Sequence, residues 1–248
     1  MKIGIVGAGS IGTTLSRTLS AAGHEVKVAN SRGPETIDAQ VLSSGARAVA
    51  VTEAVKGVDV VILSIPLNRI PAVADLFSPL PADTVVVDTS NYFPGRDSTI
   101  PAIEGGEIES HWVENQIGRP IVKAWNSILA DSFARLGTPP GTPGRIALPV
   151  AADDDGDRAV GMFLVEETGF DAVDAGTIAE SWRQQPGTPC YCTNLTVEQL
   201  PAALAAAEAA RSPKRRDLSV AAIAERVGGS GIGPTTEYAV PLHRALFM

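Results

Sequence analysis

Gly7, Gly9 and Gly12, in the run Gly7-Ala8-Gly9-Ser10-Ile11-Gly12, have the spacing of a backbone turn that wraps a phosphate. The apolar stretch from Lys2 to Val6 reads as a strand leading into the turn. Ser10 to Ala22 reads as a helix leaving it, with Ile11, Leu15, Thr18 and Leu19 at helical spacing and Gly23 as its stop. In that setting each glycine has its own task. The first makes the tight turn, the second lets the backbone approach a diphosphate, and the third lets the helix press on the strand. Exposed N–H groups at the helix start, with the positive end of the helix dipole, then hold the anion; Ser10 and Ile11 belong to this first turn. The motif therefore predicts a dinucleotide site.

The end of the second strand, Glu25 to Ala29, selects the dinucleotide. A site for NAD usually places Asp or Glu about 20 residues past the fingerprint, to accept from the ribose 2′-OH. Here the positions are Asn30, Ser31 and Arg32. With no carboxylate to repel a 2′-phosphate, a hydroxyl to donate and a guanidinium to clamp it, the sequence predicts NADP(H) as cofactor.

Other candidate chemistry is sparse. An alcohol dehydrogenase needs a proton acceptor beside the nicotinamide, and Lys123, Tyr92 and His111 are the candidates, none compelling. No catalytic residue is assigned. Cys190 and Cys192 form Cys-x-Cys, neither a redox pair nor a closed zinc site, and no metal is expected. A formal charge of −8 argues against nucleic acid as partner. The basic cluster Arg211, Lys214, Arg215 and Arg216 reads as a solvated linker or helix start. No run has the length of a membrane span, and the strand at the start leaves no room for a signal peptide, so a cytoplasmic protein is expected.

Elements that must position these residues alternate as in an α/β protein with a doubly wound, mostly parallel Rossmann sheet. After the first two strands come a helix over 35–43, a strand over 46–51, a buried strand over 59–64 closed by Pro66, a helical stretch over 71–76 and a buried strand over 84–88. Residues 89–106 read as a long functional loop, followed by a helix over 107–116 and a strand over 121–125. The expected organisation is a dinucleotide-binding domain over 1–140, a smaller α/β extension over 141–192 and a helical tail over 193–248. The extension holds strands over 145–151 and 170–175 around a helix over 157–168; the tail holds helices over 197–211 and near 219–227.

The stretches Met1 to Gly12, Gly23 to Val26, Asn30 to Arg32 and Asp59 to Pro66 resemble NADPH-dependent deazaflavin (coenzyme F420) reductases. The similarity is specific over about residues 1–130 and looser to about 192, where Val122 to Asn126 and Gln185 to Pro189 also match in character. It implies hydride transfer between NADP(H) and a deazaflavin or flavin-like acceptor, chemistry that asks little of protein acids and bases. It also implies that Ser64, Ile65 and Pro66 lie beside the nicotinamide, with Asn91, Tyr92 and Asn126 lining the same crevice. Trp125 stands where relatives carry a smaller aromatic, and the tail lies outside the family pattern. Two other readings compete: a dehydrogenase or imine reductase of a small metabolite using Lys123 or Tyr92, and a non-catalytic NADP(H) sensor with a crevice blocked by Trp125 or Trp182. A homodimer is expected from the class alone, since no residue points to one.

Overall fold

The computed structural model describes residues 1–228 and 233–248. Six strands form one parallel sheet: β1 (Lys2–Val6), β2 (Glu25–Ala29), β3 (Arg47–Ala48), β4 (Val60–Leu63), β5 (Val85–Asp88) and β6 (Val122–Lys123). Their spatial order is β3-β2-β1-β4-β5-β6, the doubly wound Rossmann arrangement. Chain order reverses between β1 and β4, so the carboxyl ends of those strands open a crevice where the loops diverge. Helix α1 (Ser10–Ala21) makes the first crossover and buries Leu15 and Leu19 against one face of the sheet. Helix α2 (Glu109–Ile117) covers the other face, with Trp112 and Val113 in a second core that includes Phe77 and Tyr92. Because both faces are covered, β4 and β5 are buried at every position and read as unbroken apolar runs rather than alternating ones.

Beyond a short helix α3 (Ala130–Arg135), a second parallel pair follows: β7 (Ala147–Val150) and β8 (Asp171–Asp174) around α4 (Asp155–Glu167). An antiparallel bridge between Lys123 and Ala151 ties this pair to the main sheet, through the Lys123 N–H to Ala151 carbonyl bond of 2.8 Å and its reciprocal of 3.1 Å. The tail holds α5 (Leu200–Ala205), α6 (Ser212–Val227) and α7 (Thr236–Phe247). No helix among the described residues is long and apolar enough to cross a membrane.

Several local expectations differ from the structure. The helix expected over 35–43 is two 3-10 turns, Pro34–Thr36 and Ala39–Leu42. Polar side chains outcompete a helix there: Asp38 accepts from the Gln40 N–H, and Thr36 bonds to Asn30 and to the Gly33 carbonyl. The last strand is two residues rather than five, because Trp125 turns out of it with a left-handed φ of 54°. The long alanine-rich helix expected over 197–211 is cut to Leu200–Ala205; most of the alanines beyond it are exposed, so little packing sustains the helix. Helix α7 was not anticipated. Lys214, Arg215 and Arg216 lie in the opening turns of α6, where Glu208 pairs with Arg215 and Asp217 with Arg216.

One buried ion pair joins the sheet beneath the crevice. Lys123 Nζ lies 2.6 Å from Asp88 Oδ2 and 2.6 Å from the Ser90 carbonyl, and neither charged side chain is exposed at all. Removing the lysine strands a carboxylate without its partner. Lys123→Ala is therefore expected to lower the unfolding free energy by about 3–5 kcal/mol. Urea denaturation at neutral pH checks this; a loss below about 1 kcal/mol, the range of exposed pairs, would sink the claim that this pair is buried and unsolvated.

Candidate functional site

Four loops at the carboxyl ends of the strands converge on one cleft of about 280 Å³. The glycine turn after β1 supplies Gly9, Ser10 and Ile11; the loop after β4 supplies Ser64, Ile65 and Pro66; the loops after β5 and β6 supply Asn91 and Asn126. Gly7 and Gly12 lie beneath the turn, and Asn30, Ser31 and Arg32 follow β2, whose last residue accepts the Gly7 N–H at 2.8 Å. The structure thus gathers the sequence-predicted residues at one end of the sheet, with 64–66, 91 and 126 on the cleft wall and 30–32 off that wall.

The three glycines are there for different reasons. Gly7 has φ +116°, and a Cβ on it would stand 2.0 Å from the Ser64 carbonyl oxygen. A Cβ on Gly12 would stand 1.9 Å from the Gly7 carbonyl oxygen. These two are demanded by the packing of α1, β1 and β4. Gly9 is not: it caps α1 with φ −76°, and a Cβ there meets no protein atom within 4 Å. The space beside Gly9 is open, on the cleft side of the turn. No side chain caps the helix, and its first turn carries no acidic residue, so the opening amides remain available to an anion.

Asn30 acts on its own loop. Its Oδ1 accepts the Arg32 N–H at 2.9 Å and its Nδ2 donates to Thr36 at 2.9 Å. The side chain thereby shapes the turn that presents Ser31 and the exposed Arg32. Across the cleft, Asn91 Nδ2 donates to the Asn126 carbonyl at 2.8 Å, and Asn126 Nδ2 donates to Asn91 Oδ1 at 3.1 Å and to the Gln184 carbonyl at 2.8 Å. Asn126 Oδ1 is buried and has no hydrogen-bond partner among the described residues.

The expected acid–base candidates are not in the cleft. Lys123 is held beneath it by Asp88. Tyr92, expected on its wall, faces a different cavity, where its hydroxyl donates to Glu104 at 2.9 Å and accepts from the Ile100 N–H at 3.1 Å. Tyr92 leaves the crevice because its ring is drawn into the core under α2 and against Arg216. His111 does not line the cleft. Trp125 does, with its indole N–H donating to Thr168 at 3.2 Å, whereas Trp182 borders the other cavity.

Sequence reasoning missed the wall opposite the glycine turn. Tyr191, which drew no expectation, and Cys192, read only as part of a Cys-x-Cys without redox or zinc chemistry, line the cleft, where the Cys192 N–H donates to the Ser127 carbonyl at 2.7 Å. Burial pushes both the Tyr191 phenol and the Cys192 thiol well above their usual range, so neither ionises at neutral pH. Arg96 stands at the cleft edge, tied to the Asn91 carbonyl at 2.6 Å and stacked over Phe93.

The fold and the glycine turn define a Rossmann domain that binds NADP(H). Residues 2–92 match the family of NADP oxidoreductases, coenzyme F420-dependent. A protein of undefined function from Sinorhizobium meliloti, SMa0349, has a crystal structure that is 30% identical in sequence, with a TM-score of 0.69 over 79% of this chain and 95% of that one. A protein from Arthrobacter sp. FB24 assigned as an F420-dependent NADP-reductase is 20% identical, with a TM-score of 0.58 over 73% of this chain and 87% of that one. YjhV of Escherichia coli K12 is 57% identical over 54 residues, which is 22% of this chain and 39% of that protein, so the match spans about two fifths of YjhV. The chain belongs to the family of the Sinorhizobium protein and carries the nucleotide-binding unit of the F420-dependent NADP oxidoreductases.

Glu109, at the start of α2, is fully enclosed and accepts the Tyr92 N–H at 3.1 Å. Burial raises its carboxyl from 4.5 to about 7, against the opposing pull of Lys123 and Arg216. Between these values the folded chain keeps a proton that the unfolded chain has lost. The stability Glu109 contributes is present in full below about 4.5 and is lost as pH rises through about 7, on the order of 3 kcal/mol in all. Glu109→Gln, which keeps the acceptor, is expected to remove that fall. Urea midpoints at about pH 5 and about pH 8 measure it, and parallel behaviour of the two proteins would rule the assignment out.

Proposed function

We propose that this protein transfers a hydride between NADP(H) and a planar flavin-like or deazaflavin acceptor. The observation that carries this reading is the chemistry of the cleft wall. Of its titratable side chains, Tyr191 and Cys192 are held protonated by burial and Arg96 is a permanent cation. Among the described residues lining the cleft there is no His, Lys, Asp or Glu to take or give a proton. Reduction of a carbonyl or imine wants such a group beside the reacting carbon. A flavin-like ring accepts hydride with far less help, because its own electronics provide the reactivity.

Bound NADPH supplies the hydride. The chain's share is binding and orientation. The turn of Gly7 to Gly12 holds the diphosphate against the start of α1, and Ser31 with Arg32 meets the 2′-phosphate. Asn126, fixed by Asn91 and Gln184 on the cleft wall, would help to hold the nicotinamide end of the cofactor. Ser64, Ile65 and Pro66 back the ring on the glycine-turn side, while Tyr191 and Leu129 keep the opposite wall apolar.

Calorimetric titration with NADPH and NADH, then a spectroscopic screen with a deazaflavin and with flavins, tests the reading. NADPH is expected to bind at least about tenfold more tightly than NADH, a gap of about 1.4 kcal/mol, and to be oxidised when one of these acceptors is added. Arg32→Ala is expected to weaken NADPH by about tenfold or more and to leave NADH unchanged, as loss of one charge-assisted phosphate contact requires. Equal affinity for both nucleotides would overturn the role of the Ser31–Arg32 pair. Tight NADPH binding without turnover on any flavin or deazaflavin would overturn the acceptor class.

A further inference from the structure

The cavity that Tyr92 faces, of about 320 Å³, plays no part in the nucleotide site. It lies behind the loop whose Asn91 and Phe93 line the cleft. Exposed Gly106, Ala209 and Pro213 border it toward solvent, and two buried charged side chains, Glu109 and Arg216, line its depth. Glu109 is 4% exposed and Arg216 7%. The two are opposite in sign, yet they do not meet. Glu109 makes no ion pair among the described residues and accepts one hydrogen bond there, from the Tyr92 N–H to Oε2 at 3.1 Å. Arg216 spends Nε on Asp217 at 2.8 Å, and its two Nη groups have no acceptor among the described residues. Its guanidinium lies 5.4 Å from the centre of the Tyr92 ring, so a single tyrosine has a buried carboxyl at its backbone and a buried cation over its ring. The other carboxylates of the cavity are already engaged. Glu104 accepts the Tyr92 hydroxyl at 2.9 Å, and Glu107 accepts from Asn115 at 2.7 Å.

We infer that this cavity is a binding site for a free α-amino acid with an apolar side chain, whose ammonium meets Glu109 and whose carboxylate meets Arg216. Burying a charge without a partner is costly, and a fold that buries two of opposite sign around one space leaves both costs for a guest to remove. A guest with one charge relieves only one of them. An α-amino acid carries both charges on one carbon, which matches two groups that reach the same tyrosine. A guanidinium takes a carboxylate through paired N–H bonds, and the Nη groups of Arg216 supply them. Ile103, Ile108, Trp182 and Pro186 give the walls an apolar character suited to the side chain. The ionisation of Glu109 follows the same logic. Facing it are Lys123 of β6, Asp88 of β5, Tyr92, Arg216 of α6 and the Tyr191 phenol, and burial outweighs the two cations to raise its carboxyl to about 7. An ammonium beside Glu109 holds it ionised. Binding therefore releases a proton wherever the free site holds one, and affinity rises with pH up to about 7 and levels off above it. The site stands apart from the question of which acceptor the NADP(H) cleft serves.

Calorimetry of the full chain with L-leucine and L-phenylalanine tests this. At least one of them is expected to bind with a Kd of about 1 mM or tighter. Analogues that lack one charge (4-methylpentanoate and 3-methylbutylamine for leucine, 3-phenylpropanoate and 2-phenylethylamine for phenylalanine) are expected to bind at least about tenfold more weakly. Glu109→Gln and Arg216→Gln are each expected to cause a loss of similar size. Wild-type affinity is expected to fall about tenfold from about pH 8 to about pH 6, as Glu109 takes up its proton. Ala209→Trp, from an exposed position at the mouth, is expected to exclude the amino acid and leave NADP+ affinity unchanged, so the test stands even where a buried variant fails to fold. The inference is overturned if neither amino acid binds, if a single-charge analogue binds as tightly as its parent, or if Ala209→Trp binds the amino acid as the wild type does. Affinity that stays level across that pH range would overturn the pairing of the ammonium with Glu109.

Discussion

The site is built over a buried ion pair. Lys123 and Asp88 sit at the ends of β6 and β5, at one edge of the sheet, and their contact holds those ends together where the ladder stops after two residues. Asp88 also accepts from the Ser90 N–H and hydroxyl, each at 3.0 Å, and Lys123 donates to the Ser90 carbonyl. One pair of charges thereby fixes the direction in which the loop 89–91 leaves the sheet, and hence where Asn91 meets Asn126. The main chain of Lys123 exchanges two hydrogen bonds with Ala151, so the same residue anchors the second sheet. Burying a charged pair is costly unless every remaining donor and acceptor is used. Here nearly all of them point into the loops that shape the cleft, so the ion pair is better understood as a geometric device than as a source of stability.

On the opposite side of the cleft the constraint is the absence of atoms. Gly7 and Gly12 bring three backbones so close that no Cβ fits, and that contact sets the angle of α1 on the sheet. The angle in turn aims the uncapped start of α1 at the space beyond Gly9. Partial positive charge at a helix end counts for most where no counter-charge or side chain intervenes, and the first turn supplies neither. The site is therefore framed by two unlike constraints: full charge compensation beneath one wall and vacant backbone along the other.

How much of this was legible in the sequence follows from the range of the forces involved. The glycine turn, the strands over 59–64 and 84–88, and the missing acid at Asn30 depend on neighbours within a few residues or on a two-sided burial pattern, and they could be read directly. Long-range pairing could not be. Lys123 read only as an uncompelling acid–base candidate within a strand, because its partner Asp88 lies 35 positions away. The family resemblance implied Tyr92 in the crevice beside Asn91, yet in an extended loop adjacent side chains point to opposite sides, and Glu104 and Glu109 draw it away. The helix over 35–43 failed for a local reason that could have been weighed, namely that Asp38 and Thr36 compete for the backbone. Tyr191 and Cys192 gave no sequence signal at all, since their place on the wall depends on the whole chain from 127 onward folding back.

The tail shows how such a return can alter chemistry without adding a reactive group. A Rossmann sheet alone leaves the reacting end of the cofactor site open on one side, because strands and crossovers wall only the sheet side. In this chain residues 191–192 and α6 stand on that open side, with Cys192 fixed by the Ser127 carbonyl and α7 held to the body where Thr236 bonds to Asp131 and Ser132. His243 and Phe247 of α7 stack at 4.8 Å, His243 lies against Tyr191, and the His243 ring contacts the Cys192 carbonyl at 3.3 Å, so α7 packs directly on the wall. The wall so formed is largely aromatic and aliphatic, with Arg96, Asp217, Ser219 and His243 as its polar side chains among the described residues.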